Sequence, residues 1–408
     1  VRMITGLGER HNPAGGLLSA AMAIAWLITT GCGGDRPEVA RELPAARSRG
    51  AAACPLVATD TGLAEFLALA DRVAGGEAVP VEEMGAVAGR PVWDRWRRSY
   101  EPETLPAAAV GRMLFIALVG RDELPSRLQD KTIRADLVRS YEIALARRAE
   151  ITAFVEGFIA EDVGCRVREQ LAGWLPAADL PDTVRIDFLV AHPEIRYYED
   201  HLHVDAGLAW AAGRDQLVRF LASTLYRDQA AIAGRQPASA HGPDIVLETL
   251  RLVYNEAVPV YLDDLPHLAF DPRHPLLAKA APDVEDLGGQ AARTLRAFDA
   301  GLTAVRGRPA PTDGDWLALY RIFVGAQSWR ASGWFMARVI AGHLGEPRLQ
   351  AAARTVPEFL AAYHEACAAA PGNRDAAPGS LAAHLASPPA FTPENAAWLD
   401  RELRRLFP

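Results

Sequence analysis

Lysine is almost missing from this 408-residue chain. Of its forty-three basic residues only Lys131 and Lys279 are lysine. Neither follows a G-x-x-x-x-G run, so there is no Walker A loop to cradle a nucleotide's phosphates. No G-x-G-x-x-G and no G-x-S-x-G occurs, which removes the dinucleotide fingerprint and the serine-hydrolase elbow. Cysteine is scarce too: Cys32, Cys54, Cys165 and Cys367 form no C-x-x-C pair. That excludes zinc ribbons and thioredoxin-like redox chemistry. Excess positive charge is also lacking. Fifty-one acids give a net charge of −8, a poor basis for non-specific nucleic-acid binding, and no nucleic-acid partner is expected. What the chain does have is apolar bulk: 50% hydrophobic and 23% charged residues, enough for a sizeable packed core.

Near the start, residues 17–30 form a 14-residue uncharged apolar run. It is too short to span a bilayer comfortably but suits a signal-peptide core. Arg2 and Arg10 precede it, diluted by Glu9. It ends in Thr29-Thr30-Gly31-Cys32. Small residues before a cysteine resemble a bacterial lipobox, in which the cysteine thiol is lipidated and becomes the new N-terminus. Thr29 stands where a leucine is more usual. The expectation is a signal peptide at 1–31, lipidation of Cys32 and a flexible Gly/Pro/Ala/Arg-rich tether at 32–54. The protein would then be held at the membrane on the outer side of the cytoplasm, in the cell envelope. An ordinary secretory signal and a buried N-terminal helix are the alternatives. Cleavage before Cys32 leaves Cys54, Cys165 and Cys367, an odd number that allows at most one internal disulfide, with the pair left open.

The rest reads as α+β and mainly α-helical. Residues 55–180 form an N-terminal helical region. Leu63, Phe66, Leu67, Ala70 and Val73 recur at helical steps. One long helix is predicted from about 133 to 163, with Arg148 as an interruption. At Val184, Ile186, Phe188 and Val190 the period becomes two, which is strand-like. Ile195 to Asp205 also reads as extended. Helices resume over 214–232 and 245–262 (the latter interrupted near Pro259), then at about 284–306, 313–344, 346–369 and 394–406. Residues 371–389 read as loop.

The order of these pieces carries a resemblance. An extended segment runs into Asp205-Ala206-Gly207-Leu208, and the following helix carries Leu221-Ala222-Ser223-Thr224-Leu225-Tyr226-Arg227. A later helix carries Tyr254-Asn255-Glu256-Ala257. This resembles the zinc-dependent proteases of gluzincin type found among bacterial lipoproteins and exported proteins. There, a strand and turn lead into a helix bearing H-E-x-x-H, and a later helix supplies a Glu. The resemblance covers roughly 184–365, including Val324-Gly325, Met336-Ala337, His343-Leu344-Gly345 and Phe359-Leu360. It implies a gluzincin-like core, with a small sheet followed by active-site-type helices, and a metallopeptidase-like region at 181–408 that includes the C-terminal helices.

The motif itself is absent. Two imidazoles at i and i+4 are needed to reach one zinc from one helical face, and the Glu beside the first takes a proton from metal-bound water. Ser223, Thr224 and Arg227 stand at the matching positions. Serine is a poor zinc ligand, threonine is no base at neutral pH, and a guanidinium has no lone pair and repels a cation. Of the set only Glu256 survives. The resemblance therefore implies a relict site without catalytic residues or cofactor, and a protein that binds peptide or protein in the old cleft. It also predicts a charge-assisted bond between Arg227 and Glu256 in place of the metal.

Other chemistry stays open. In a strand, His201, His203 and Asp205 share a face and could supply two imidazoles and a carboxylate to a metal such as zinc. That would suit an active metal-dependent hydrolase with non-standard ligands. The competing reading of these residues is the polar face of a half-exposed edge strand beside the cleft. Glu199, Asp200 and Asp205 are candidates for a carboxylate pair. Asp263 and Asp264 read as a solvated helix end, and His364 as a helix-surface residue. Trp93, Trp96, Trp316, Trp329 and Trp334 suit a core better than a carbohydrate platform. A helical envelope lipoprotein without peptidase ancestry is the third functional reading.

Overall fold

The computed structural model describes residues 55–100, 104–129, 133–161, 163–232, 241–278, 283–324, 328–372, 377 and 379–407. The expected signal peptide, Cys32, Cys54 and the expected tether lie outside the described residues.

The architecture is α+β and mainly helical, with one small mixed sheet. Strand β1 (Leu56–Thr59) precedes α1 (Thr61–Ala74), α2 (Val81–Val87), α3 (Pro91–Arg98), α4 (Ala107–Leu118), α5 (Ser126–Gln129), α6 (Ala135–Ala146), α7 (Arg148–Ile159) and α8 (Val163–Leu171). Then come β2 (Val184–Leu189), β3 (Ile195–Tyr198) and β4 (His201–Asp205). The chain continues with α9 (Ala206–Ile232), α10 (Asp244–Leu262), α11 (Val284–Arg306), α12 (Asp313–Val324), α13 (Ser328–Leu344), α14 (Glu346–Ala352), α15 (Val356–Ala369), α16 (Leu381–Ala386) and α17 (Pro393–Leu406).

Several boundaries differ from the sequence reading. The long helix expected from 133 to 163 is two helices that meet at Arg147, whose φ of −117° and ψ of 20° leave the helical region. Arg147 and Arg148 then turn outward to Glu150 and Asp71. Helix α10 runs through Pro259 without stopping. The stretch 371–389 is not all loop, because Ser380 caps α16 by accepting the N–H of Ala383.

The sheet has the order β1-β2-β4-β3. β1 and β4 flank β2 in parallel, and β3 closes the sheet antiparallel to β4. Thus β1, next to the N-terminal helices, belongs to the same sheet as the mid-chain strands β2–β4. The register puts Asp187 opposite His203, and Tyr198 opposite His201. Because side chains alternate along a strand, polar residues collect on one face and apolar ones on the other. The polar face is not exposed: Arg95 and Arg98 of α3 close over it, reaching Asp187 and Tyr198. On the apolar face Phe158 of α7 packs edge-on against Phe188, with ring centroids 5.7 Å apart.

Beyond the sheet, α9, α10 and α13 form the helical centre. Ser223, Leu217, Phe220 and Leu221 of α9 are buried against it. A Cβ at Gly333 of α13 would strike the Val253 carbonyl of α10, so these two helices approach backbone to backbone. Trp93, Trp96 and Trp334 are fully buried, Trp316 is nearly so, and Trp329 packs on the core. They are core residues.

Candidate functional site

The turn into α9 explains the Asp-Ala-Gly-Leu run. Asp205 ends β4 and caps the helix: its Oδ1 accepts the Leu208 N–H at 2.6 Å, and its Oδ2 accepts the Ala191 N–H at 2.8 Å. A helix start leaves several N–H groups without intrahelical partners, and a carboxylate there is favoured further by the helix dipole. Burial nevertheless pushes the Asp205 carboxyl up to about 7, against those N–H bonds. Asp205 is thus spent on architecture. Eight residues later Gly213 takes φ 75° and ψ 171°, breaking α9 into a short first piece and a long second one. That left-handed φ is costly for any residue with a Cβ. The break re-aims the second piece, which carries Ser223, Thr224 and Arg227.

Those three residues stand on the inner side of α9, facing α10. Ser223 and Thr224 are buried. The Ser223 hydroxyl lies 2.5 Å from Asp263 Oδ1, and the Thr224 hydroxyl donates to the Phe220 carbonyl at 2.8 Å. Arg227, one turn on, reaches Glu256 of α10 with Nη2 to Oε2 at 3.3 Å. The expected Arg227–Glu256 contact is therefore present. It is long for a hydrogen bond and well within ion-pair range.

Two partners were missed in the sequence. Arg330 of α13 stands 3.5 Å from the same Glu256 oxygen. Asp263, expected to be solvated, is buried and held by Ser223. Burial pushes its carboxyl up to about 6, with Arg227 and the Ser223 bond pulling the other way. Burial also lowers the Arg330 guanidinium from its ordinary value, opposed by Glu256. Two guanidiniums and two carboxylates thus tie α9, α10 and α13 together. No spacing rule joins 227, 256, 263 and 330, so only the fold could reveal them. The one signal in the sequence was Arg227, a permanent charge on an otherwise apolar helical face.

This donor set does not fit zinc. Two carboxylates, Glu256 between two guanidiniums and Asp263 held by Ser223, with two neutral hydroxyls already engaged, offer too few free donors, and the guanidiniums bring the wrong charge. Among the described residues no group of three His, Cys, Asp or Glu side chains is arranged to hold a metal ion.

The second candidate set does not converge as the alternation suggested. β4 is an inner strand, and the edge is β3, because the chain folds back at Glu199–Asp200 and pairs outside it. His203 and Asp205 are buried rather than half-exposed. His201 and His203 instead share Asp187, with Nδ1 to Oδ2 distances of 3.1 and 3.4 Å, and Arg95 reaches the same oxygen at 2.8 Å. Burial pushes the His203 ring down to about 3 despite Asp187, so it is neutral. Glu199 and Asp200 sit at the hairpin turn with φ of 50° and 64°. They pair with Arg98 and Tyr197, away from the buried end of β4 that holds Asp205. His364 is half-buried with its ring 5.3 Å from that of Phe391, not on a free helix surface.

A sheet strand that turns through an Asp cap into a helix, packed on a second helix that presents a Glu, is the arrangement that the sequence resemblance implies. Residues 125–371 match a family described as "Putative zinc dependent peptidase (DUF5700)", and the chain belongs to that family. The matched stretch includes β2–β4, Ser223, Arg227, Glu256, Asp263 and Arg330. No curated protein and no solved structure matches the chain. Membership removes the reading of a helical protein without peptidase ancestry. Among the described residues no helix is long and apolar enough to cross a membrane.

Proposed function

We propose that this protein is a catalytically inactive member of its peptidase family, lipid-anchored through Cys32, that binds peptide or protein in the cell envelope. The observation that supports this is the Arg227–Glu256 contact with Arg330 beside it. Positive charge that a zinc ion would bring is supplied by two guanidiniums, which can hold helices together but cannot polarise a carbonyl as a Lewis acid or activate a water. The anchor rests on the lipobox-like sequence ending at Cys32. The competing reading, a hydrolase with metal on His201 and His203, is disfavoured by the Arg95 guanidinium, which takes the Asp187 oxygen that both rings face and repels a cation.

The test is the metal content of the purified full chain, measured by elemental mass spectrometry after dialysis against trace zinc. Less than about a tenth of an equivalent is expected, since two carboxylates already engaged by Arg227, Arg330 and Ser223 do not retain zinc. Near one equivalent, lost in His201→Ala or His203→Ala, would overturn the proposal and return the protein to the metal-dependent hydrolases.

A further inference from the structure

A groove of about 390 Å³, open to solvent, lies where α13 meets the end of α10 and α16. Tyr261, Arg338, Gly342, His343, Leu385 and Ala386 line it. Two features are unexplained by packing. Arg338 is half-buried yet makes no ion pair or hydrogen bond among the described residues. A guanidinium on a groove wall with its N–H donors unspent is placed to take an anion. Gly342 sits inside α13, where glycine is unfavourable relative to alanine. Gly333 in the same helix is explained by the close backbone of α10, but a Cβ at Gly342 would meet nothing within 4 Å. Its missing side chain serves only to deepen the groove.

The walls are built. His343 Nε2 donates to the Leu385 carbonyl at 2.7 Å and fixes α16 against α13. Tyr261 packs on Trp174, with ring centroids 5.6 Å apart, and its hydroxyl stands 3.4 Å from Glu346. The groove thus has a cation without a partner, an aromatic wall, a small apolar floor and one carboxylate near Tyr261.

We propose that this groove binds a single carboxylate carried by a short apolar group. Arg338 takes the carboxylate through its paired N–H donors. Tyr261, Gly342, Leu385 and Ala386 receive the apolar part. Glu346, beside the Tyr261 hydroxyl, disfavours a second negative charge in the groove, so dicarboxylates are disfavoured. Either a short free carboxylic acid or the C-terminal residue of a peptide offers this chemistry. The inference does not depend on the reading of Ser223, Arg227 and Glu256.

The experiment is isothermal titration of the full chain with N-acetyl-Ala-Ala, its C-terminal amide, butyrate and succinate. N-acetyl-Ala-Ala or butyrate is expected to bind, with the amide and succinate weaker by about tenfold or more, the size of a lost charge-assisted contact. Binding of the peptide alone assigns the source to chain ends, and binding of butyrate assigns it to free acids. Arg338→Gln should weaken binding about tenfold. Gly342→Leu should abolish it by filling the floor, while a better helix former at that position preserves the fold, as checked by thermal melting. Equal binding of acid and amide, unchanged binding in either variant, or no heat from any ligand at about 10 mM would each overturn the proposal.

Discussion

Removing Glu256 should harm the protein more than removing Arg227, and the asymmetry follows from the geometry. Glu256 faces Arg227 at 3.3 Å and Arg330 at 3.5 Å. With an effective dielectric of about 20, each contact is about 5 kcal/mol of attraction before desolvation is subtracted. Desolvation offsets much of that, because all three side chains are largely buried. Glu256→Ala leaves two guanidiniums facing each other with only Asp263 near, and about 3–4 kcal/mol of stability should be lost, typical of breaking a buried pair. Arg227→Ala leaves Glu256 paired with Arg330, and about 1–2 kcal/mol is expected, the size of one lost charge-assisted bond. Urea unfolding of both single variants and the double variant, followed by circular dichroism, gives these values and a coupling energy of about 1–2 kcal/mol for contacting residues. A coupling below about 0.5 kcal/mol, within the range of independent sites, would refute the inference that this pair replaces a metal as the tie between α9 and α10. So would an Arg227→Ala variant less stable than Glu256→Ala.

Two further outcomes follow from the same region. Asp263 rises from an ordinary 3.8 to about 6 on burial, so the folded state binds its proton more readily than the unfolded one. Its contribution therefore favours folding below about pH 4 and is lost as pH rises to about 6, amounting to about 3 kcal/mol at 1.36 kcal/mol per unit. Asp263→Asn keeps an acceptor for Ser223 and should gain on the parent by about that much between pH 4 and pH 7; a difference that stays flat across urea titrations at both pH values would show that Asp263 is not buried as described. Gly213→Ala should cost about 1–2 kcal/mol, because φ 75° is strained for alanine, and an unchanged melting temperature would mean that the break in α9 is not needed.

Much of the fold was legible in the sequence because its signals are local. The shift from helical to two-residue period at Val184 marked β2, and the Asp205-to-Leu208 run marked the entry to α9, where a carboxylate and the Leu208 N–H are near neighbours along the chain. That Ser223 and Arg227 share one helical face could be read from their i and i+4 spacing. Arg227 meeting Glu256 followed from charge once the two helices were placed by resemblance.

What stayed hidden depended on pairing at a distance. The alternation in His201-Leu202-His203-Val204-Asp205 correctly gave a strand, but nothing within it says whether the strand lies at the edge or inside. That was decided by the hairpin at Glu199–Asp200 and by β2 pairing on the other side. The choice changed the environment of His203 from a half-wet face to a buried one, and with it the ring's protonation. Asp263 looked solvated because it follows a helix; burial against α9 and the Ser223 hydroxyl made it part of the site. Arg330 joined Glu256 only because Gly333 lets α13 press against α10. The sequence determined helix, strand and cap through residues a few positions apart. Which charges ended up sharing one buried space was decided only by tertiary packing, because long-range electrostatics depends on distance and desolvation that no local spacing encodes.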